Sequence, residues 1–207
     1  MCSELNAKRF NKLAQEWDSK PARIEGAMTF VDKILEDIDT DIKSFNILDY
    51  GSGSGLVSFG FANKAYKITG LDNSEEMVKV YNNKAFTIGL DNILSRKHDI
   101  NKEELEENIY DLVVTNMTMH HINDIDIFIK KLSSSLKNDG YIYIADLISE
   151  DGTFHSDNTG VEHFGFDMEV VKNTFLNSGL KDVSIEILHT IDKPHKSFDI
   201  FIVRGRK

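Results

Sequence analysis

Apolar side chains recur every three or four positions along the first forty residues, which is the spacing of one helical face. In the run "FNKLAQEW" this spacing aligns Phe10 with Trp17. The polar stretch "DSKP" interrupts the pattern, and Pro21 lies near the first position of a second helix. The periodicity then resumes over residues 24–38. We therefore predict two amphipathic helices before residue 40.

Short strand-like runs alternate with helical segments over the next hundred residues. The strand-like runs are "SFNILDY", "AYKITGLD", "ILSRKHDI", "YDLVVTN" and "GYIYIADL", and the helices are predicted near 55–63, 74–86, 102–107 and 123–137. Alternation of this kind implies parallel strands joined by crossover helices, in a three-layer α/β architecture.

The end of the chain follows a different pattern. A helix predicted near 167–178 precedes the runs "VSIEILHTI" and "SFDIFIVRG", which the short polar segment "DKPHK" joins. Two strands connected in this way indicate an antiparallel hairpin at the sheet edge. With the five earlier runs they predict a seven-stranded, mostly parallel sheet.

The chain length favours one domain. A chain of 207 residues is long enough to build a full core by itself. We expect a single domain over residues 1–207, in which residues 1–40 form a helical lid and residues 41–207 form the α/β core.

The charge balance narrows the range of partners. The formal charge is −10, from 24 basic and 34 acidic residues, and the basic segment "VRGRK" at the end is the clearest cluster of positive charge. Such a balance disfavours nucleic acid, whose phosphates are bound by Lys and Arg. No apolar run approaches the ~20 residues of a membrane span, and one cysteine provides no disulfide framework. We expect a cytoplasmic protein, monomeric or homodimeric, that acts on a small molecule.

A glycine-rich segment, "DYGSGSG", directly follows the first predicted strand. Gly51, Gly53 and Gly55 precede a helix, a position typical of a cofactor loop. The dinucleotide fingerprint needs a glycine at position 56, where this chain has Leu56. A bound pyrophosphate would also meet the carboxylate of Asp49 at close range. S-adenosylmethionine has no phosphate and presents an ammonium and a sulfonium group, which an acidic residue attracts.

These residues resemble the first motif of class I S-adenosylmethionine-dependent methyltransferases, especially their small-molecule members (types 11 and 12). The motif is an apolar strand that ends in Asp/Glu-x-Gly-x-Gly-x-Gly, as in "ILDYGSGSG". The runs "ITGLDNSEEMV", "KHDI" and "YDLVVTNMTMHHIND" are similar to the second, third and fourth motifs, in the right order. "LKNDGYIYIADL" resembles the motif around the fifth strand, although Asn138-Asp139-Gly140 replaces the usual Pro-Gly-Gly turn.

The resemblance implies a Rossmann-like methyltransferase fold, S-adenosyl-L-methionine as cofactor and S-adenosyl-L-homocysteine as product. Asp72 is expected to bind the ribose hydroxyls, and Asp99 the adenine amino group. The complete expected cofactor set is Asp49, Tyr50, Gly51, Gly53, Gly55, Asp72, Asn73, Met77, Asp99, Ile100, Asn116 and Met117. The segment "EWDSKPAR" is expected to close over the pocket, where Trp17 either stacks on a ligand or packs as a core aromatic.

Four histidines are candidates for a general base, which methyl transfer needs only when the nucleophile carries a proton. His120 and His121 end the fourth motif, and His155 and His163 lie in the long unpatterned segment 148–166. We predict His121, His155 and His163 as catalytic candidates. A metal site built from His121, His155, His163 and Asp146 is an alternative, but no compact His-x-x-x-His spacing supports it.

Two rival functions remain open at this point. A NAD(P)-dependent oxidoreductase shares the strand, the glycine loop and a later acid. A catalytically silent cofactor-binding subunit would share the whole pocket. Amino-methylating nucleic-acid enzymes of this fold carry Asn/Asp-Pro-Pro-aromatic after the fourth strand, where this chain has "NMTMHH".

Overall fold

The computed structural model describes residues 2–207, with side chains from residue 4 onward. Met1, the first residue of the expected lid, lies outside the described residues. The helices are α1 (Cys2–Leu13), α2 (Pro21–Asp37), α3 (Leu56–Phe61), α4 (Glu75–Thr87), α5 (Ile125–Ser135) and α6 (Met168–Asn177). The strands are β1 (Asn46–Tyr50), β2 (Lys67–Asp72), β3 (Ile93–Lys97), β4 (Tyr110–Asn116), β5 (Leu136–Leu147), β6 (Lys181–Lys193) and β7 (Lys196–Arg206). Short 3₁₀ segments occupy Ala14–Ser19, Ile42–Ser44 and Met119–His121.

The seven strands form one sheet in the order β3-β2-β1-β4-β5-β7-β6. The first five are parallel, and β7 pairs antiparallel with both β5 and β6. The β6–β7 hairpin turns through Pro194 and His195, since Lys193 pairs with Lys196. The predicted fold class, including the C-terminal hairpin at the sheet edge, is confirmed.

Alternate residues of β1 divide the core into two layers. Ile47 faces a cluster that contains Phe30 and Ile34 of α2, whereas Leu48 faces a cluster that contains Phe128 of α5. All five side chains are 0–1% exposed. A central parallel strand covered on both faces is expected to be apolar throughout, which explains why Asp49 in the same strand is exceptional.

The prediction of a helix near 102–107 is wrong. That segment, "KEELEE", is irregular in the structure, and only Lys102 and Glu103 donate backbone hydrogen bonds back to Asp99. Leu105 is its one apolar residue, so the segment has no apolar stripe with which to pack. An isolated helix of six residues is also too short to be stable without such packing.

The N-terminal segment divides into two parts with different packing. Helix α2 is a layer of the core, because its apolar face is fully buried against the sheet. Helix α1 and the 3₁₀ segment instead lie over the carboxyl ends of the parallel strands. Asn11 Oδ1 accepts hydrogen bonds from Ser74 Oγ and Glu76 N at the start of α4, at 2.7 and 3.2 Å. No helix within residues 2–207 combines the length and apolarity needed to cross a bilayer.

Candidate active site

The glycine turn between β1 and α3 uses backbone conformations that glycine adopts most easily. Gly51, Gly53 and Gly55 have φ angles of 72°, 51° and 93°, all in the left-handed region. The N–H groups of Gly51 and Ser52 both donate to the Leu71 carbonyl, at 2.7 and 3.1 Å. The turn is therefore held against the end of β2.

The three glycines differ in what a side chain would meet. A Cβ on Gly51 would lie 2.2 Å from Thr118 Oγ1, whereas the nearest atom to a Cβ on Gly53 would be Trp17 Nε1 at 3.9 Å. A Cβ on Gly55 would meet the rings of Phe59 and Tyr81 at 2.6 and 2.7 Å. Gly55 lies outside the cavity lining and is the N-cap residue of α3, where it packs against these two rings.

Asp72, at the tip of β2, connects the glycine turn to α4. Its Oδ2 accepts from Gly53 N and its Oδ1 accepts from Ser74 N, each at 2.8 Å. Burial raises the pKa of Asp72 to about 6, although these two bonds act in the opposite direction. The carboxylate is thus fixed in place and poorly solvated.

Asp49 lies beneath the glycine turn and is 2% exposed, yet it also lines the cavity. Its Oδ2 accepts from Ser58 Oγ at 2.7 Å and from Ser58 N at 3.2 Å, inside α3. Burial raises the pKa of Asp49 to about 7, and the charge of Asp72 adds to the effect. In the empty protein this carboxyl group is close to half protonated at neutral pH.

The ends of β3 and β4 complete this wall of the site. Asp99 pairs with Lys102 at 3.2 Å, and Ile100 N donates to the Tyr50 hydroxyl at 3.0 Å. The Tyr50 hydroxyl therefore positions the segment that follows β3. Met117, directly after β4, has a φ of 55°. A non-glycine residue in the left-handed region costs of order 1–3 kcal/mol, and such residues cluster at functional sites.

The strand ends border a cavity of about 470 Å³, which lies within the roughly 300–1,000 Å³ of small-molecule sites. Eleven of the twelve expected cofactor residues line it, namely Asp49, Tyr50, Gly51, Gly53, Asp72, Asn73, Met77, Asp99, Ile100, Asn116 and Met117.

Three histidines that line this cavity have their rings close together. The ring of His120 lies 4.1 Å from that of His121 and 5.1 Å from that of His155. His121 Nδ1 donates to the Gly160 carbonyl at 2.7 Å, which leaves Nε2 as the unprotonated nitrogen. Burial lowers the pKa of His121 to about 2 and the pKa of His155 to about 4, so both rings are neutral at pH 7.

His120 forms a pair with Asp146 that the expected catalytic set did not include. His120 is 1% exposed, and its Nδ1 lies 2.7 Å from Oδ1 of the fully buried Asp146. Asp146 Oδ2 also accepts from His120 N at 3.1 Å. Among the described residues, the His120 Nε2 atom has no hydrogen-bond partner, and His120 lines the cavity. The sequence does contain a signal for a polar group at this position, because Asp146 interrupts the apolar run of β5, the strand that pairs with β4 of the fourth motif.

His163, in contrast to the other predicted catalytic histidines, lies outside the cavity lining. Its Nε2 donates to the Ile122 carbonyl at 2.9 Å. Its ring packs 5.1 Å from that of Phe166. His163 N also donates to the His120 carbonyl at 3.1 Å, so this residue anchors the long loop beneath the cavity.

The 3₁₀ segment Ala14–Ser19 covers the glycine turn and is held by charge. Asp18 accepts from Ser54 Oγ and pairs with Lys84, whose Nζ also donates to the Ser54 carbonyl at 2.9 Å. Trp17 lines the cavity beside Gly53, with the Arg23 guanidinium 3.5 Å from its ring centroid. Of the two interpretations of Trp17, its placement in the cavity wall favours ligand contact over core packing.

The metal alternative gains no support. Within the described part of the chain, no cluster of three or more His, Cys, Asp or Glu side chains is arranged to hold a metal ion. His163, one member of the set considered, points away from the cavity to a backbone carbonyl. We therefore do not propose a metal centre.

Comparison with known proteins agrees with this geometry. The profile of a family described as "Methyltransferase domain" matches residues 42–161, which include β1 to β5 and the cavity wall that they form. The chain belongs to this methyltransferase family. The family predicted from the motifs is thereby confirmed.

Individual relatives of this methyltransferase domain point the same way. An uncharacterised methyltransferase of Schizosaccharomyces pombe is 32% identical over 74% of the chain and 63% of its own length. A ubiquinone biosynthesis O-methyltransferase of Pelagibacter ubique is 27% identical over 67% of the chain and 62% of its own length. The chain thus spans less than two thirds of these relatives. A SAM-dependent methyltransferase structure from Aquifex aeolicus shares the fold, with a TM-score of 0.69, 21% identity and 97% coverage of both chains.

The glycine turn yields a prediction about stability. Gly51→Ala and Gly89→Ala both place a side chain at a φ near 70°, but a Cβ on Gly89 meets no atom within 4 Å. Gly89→Ala should cost about 1 kcal/mol from backbone strain alone. Gly51→Ala should cost about 3 kcal/mol, because a clash with Thr118 is added. Thr118 Cβ itself would lie at 2.7 Å, so no rotation of that side chain relieves the clash.

Urea unfolding of both variants and the wild type measures these free energies. Equal destabilisation by the two substitutions would show that the turn tolerates a side chain and that the close approach to Thr118 is not a constraint.

Proposed function

We propose that this methyltransferase domain transfers a methyl group from S-adenosylmethionine to a small molecule, with His120 as the base that accepts the acceptor's proton. The observation that carries the proposal is the arrangement of three carboxylates at the strand ends, Asp49, Asp72 and Asp99, around the glycine turn. A cytoplasmic location and a monomeric or homodimeric state belong to the same proposal and derive from the sequence.

The residues present fit this cofactor. Asp72 would accept from the ribose hydroxyls and Asp99 from the adenine amino group, and both residues line the cavity. Asp49 would face the ammonium group, and the open approach over Gly53 leaves room for the ligand against the turn. When bound, the cofactor supplies a methyl group on a sulfonium, and its transfer depends on the alignment of the acceptor.

The electrostatics of the acidic wall, by which we mean Asp49, Asp72 and Asp99, favour a cationic ligand over a dinucleotide. The pKa values of Asp49 and Asp72 are raised to about 7 and about 6 by burial. A nearby positive charge would stabilise both carboxylates, whereas a pyrophosphate would repel them in a poorly solvated site. This supports a methyltransferase rather than the NAD(P)-dependent alternative.

The His120–Asp146 pair supports catalysis rather than a silent cofactor-binding subunit. Asp146 accepts from His120 Nδ1, so Nε2 carries the lone pair; Nε2 is buried without a hydrogen-bond partner among the described residues, in a residue that lines the cavity. A buried nitrogen without a protein partner costs free energy unless a ligand group fills the position. The hydroxyl or amine of an acceptor is suited to donate to this atom and then to lose its proton to it.

The choice of cofactor is tested by ligand stabilisation. S-adenosylhomocysteine should raise the melting temperature in a concentration-dependent way, because binding to the folded state stabilises it. NAD and NADP should not, since Asp49 and Asp72 repel their diphosphates. Differential scanning fluorimetry with each ligand measures the shifts. Stabilisation by NAD but not by S-adenosylhomocysteine would reject the proposal.

Asp49 makes cofactor affinity depend on pH. Because the folded-state pKa of Asp49 is about 7, against 3.8 for an aspartate side chain in water, the contribution of Asp49 to stability falls as the pH rises through that interval. Ligand cations favour the ionised form, so binding should release a proton below pH 7. Affinity for S-adenosylhomocysteine should then rise with pH, by at most about tenfold per unit, and level off above pH 7.

Titration calorimetry between about pH 5.5 and 7.5, in two buffers of different ionisation enthalpy, measures affinity and proton release together. At the upper end of this pH range, the Asp49→Asn variant should bind S-adenosylhomocysteine about tenfold more weakly than the wild type. Above pH 6 its affinity should lose most of the dependence on pH. The pH dependence of affinity that remains below pH 6 is due to Asp72. Asp49→Asn should be no less stable than the wild type at high pH, so weak binding cannot be attributed to unfolding. An unchanged pH profile in this variant would contradict the role of Asp49.

His120→Asn tests the base. The asparagine amide can still donate to Asp146, but the position of Nε2 is lost. Turnover should fall by about 10²–10⁴-fold, the usual contribution of a general base, while affinity for S-adenosylhomocysteine stays unchanged. The exposed His195→Asn is the matched control. The measurement is S-adenosylhomocysteine release across a panel of phenols, acids and amines.

Turnover of His120→Asn close to that of the wild type would remove the base from the proposal. Cofactor binding by the wild type without turnover of any acceptor would favour the silent subunit.

A further inference from the structure

The charged residues that line the cavity are separated by sign. The acidic wall consists of Asp49, Asp72 and Asp99, which all come from the ends of β1, β2 and β3. The other side, which we call the basic wall, consists of Arg9, Lys20, Arg23 and Lys193. Three of these cations come from α1, α2 and their junction, and the fourth ends β6. No carboxylate of the described residues lines the cavity on this side.

The cations of the basic wall have neutral partners. Arg9 Nη1 donates to the Thr159 carbonyl at 3.0 Å, and Arg23 Nη1 donates to the Trp17 carbonyl at 2.9 Å. Lys193 Nζ donates to the Phe154 carbonyl. Among the described residues, none of the four cations forms an ion pair with a carboxylate.

Nearby acids lie outside the cavity lining. Asp18 attracts Arg23, but its carboxylate is paired with Lys84. Asp157 is exposed near Arg9 and accepts from Thr159 N at 2.9 Å, and Glu150 caps Thr153 near Lys193. These acids attract the cations from outside the lining, and no carboxylate of the described residues forms an ion pair with a cation of the basic wall.

The cations are close enough to repel one another. Burial lowers the pKa of Arg23; attraction by Asp18 opposes this shift, and repulsion from Arg9 adds a smaller contribution to it. Burial also lowers the pKa of Lys193, against the attraction of Glu150 and with a smaller contribution from Lys20. Like charges placed together on one wall of a cavity cost free energy until an anion binds between them. The cost is notable in a chain whose formal charge is −10.

Aromatic rings lie beside the basic wall. The Arg23 guanidinium is 3.5 Å from the Trp17 ring centroid, and Lys193 Nζ is 3.9 Å from that of Phe154. Each ring holds a cation at the edge of an apolar surface. The wall thus offers both charge and a flat apolar contact for the body of a small molecule.

We propose that Arg23 and Lys193, supported by Arg9 and Lys20, bind a carboxylate or phosphate group on the methyl acceptor. The acceptor is accordingly a small anion with an apolar body, whose hydroxyl or amine reaches His120 while its anionic group contacts the basic wall. This inference rests on the proposed function, because it assigns the acceptor of the same cavity.

The test uses matched anionic and neutral probes on the full chain saturated with S-adenosylhomocysteine. The probes are 4-hydroxyphenylacetate, its neutral amide, and phenyl phosphate, and calorimetry measures their dissociation constants. The two anions should bind about tenfold or more tightly than the amide, since charge-assisted hydrogen bonds are stronger than neutral ones. A preference between carboxylate and phosphate distinguishes the two anionic groups.

Substitutions locate the anion site. Arg23→Gln and Lys193→Gln should each weaken anion binding about tenfold and leave the amide unaffected. Lys67→Gln removes an exposed lysine at the opposite end of β2 and should change nothing. The melting temperature of each S-adenosylhomocysteine complex verifies that the variants are folded.

The outcomes separate this inference from the proposed function. Equal binding of anion and amide, no binding of either anion, or anion binding unaffected by both substitutions overturns the inference while S-adenosylhomocysteine still binds. Failure of S-adenosylhomocysteine to bind rejects the proposed function itself.

Discussion

The hydrogen bond from Gly53 N to the Asp72 carboxylate is the constraint on which the site depends. It exists only because Gly53 adopts a left-handed conformation and because Asp72 lies at the tip of the adjacent parallel strand. The bond fixes the turn between β1 and α3. The position of this turn determines where α3 covers Asp49. The parallel sheet thus delivers its strand ends to one edge, and this bond converts that edge into a preorganised surface.

The N-terminal segment supplies what the sheet cannot. A single edge of strand ends is an open surface, and α1 with the following 3₁₀ segment makes it a cavity. They are attached by polar bonds, from Asn11 to Ser74 and from Asp18 to Lys84 and Ser54, and by the contact of Phe10 with His121. Polar contacts at a surface contribute little stability each. The cover buries fewer apolar side chains than α2, whose apolar face is buried in the core.

The sequence was most informative where pattern and chemistry coincide. Strand alternation predicted the sheet, and the spacing of "DYGSGSG" and the later acids predicted the acidic wall, because parallel strands must end at one edge. It failed where the outcome depends on which way a side chain turns. His163 and His155 are eight residues apart in one loop, yet only His155 faces the cavity. Spacing in an irregular segment cannot distinguish the two.

Asp146 illustrates a different limit. Its position in β5 is evident from the sequence, but its pairing with His120 requires the register of β4 against β5, which brings Asn116 beside Ala145. That register is set by side-chain packing over the whole strand pair rather than by a local motif. The prediction of a helix over 102–107 failed because this charged segment has a single apolar residue, Leu105, and so has no apolar stripe to bury.

Carboxylates and cations both line the cavity, so each of two ligands can compensate the buried charges of one sign. Burial raises the pKa values of Asp49 and Asp72 and lowers those of Arg23 and Lys193, so it disfavours the charged form of each group. A ligand of opposite sign beside these groups offsets that cost. Under the proposed function, a cationic cofactor meets one wall and an anionic acceptor meets the other. Each ligand then binds beside groups whose charged forms are disfavoured by burial. Selectivity therefore comes from removing this electrostatic cost as well as from new contacts.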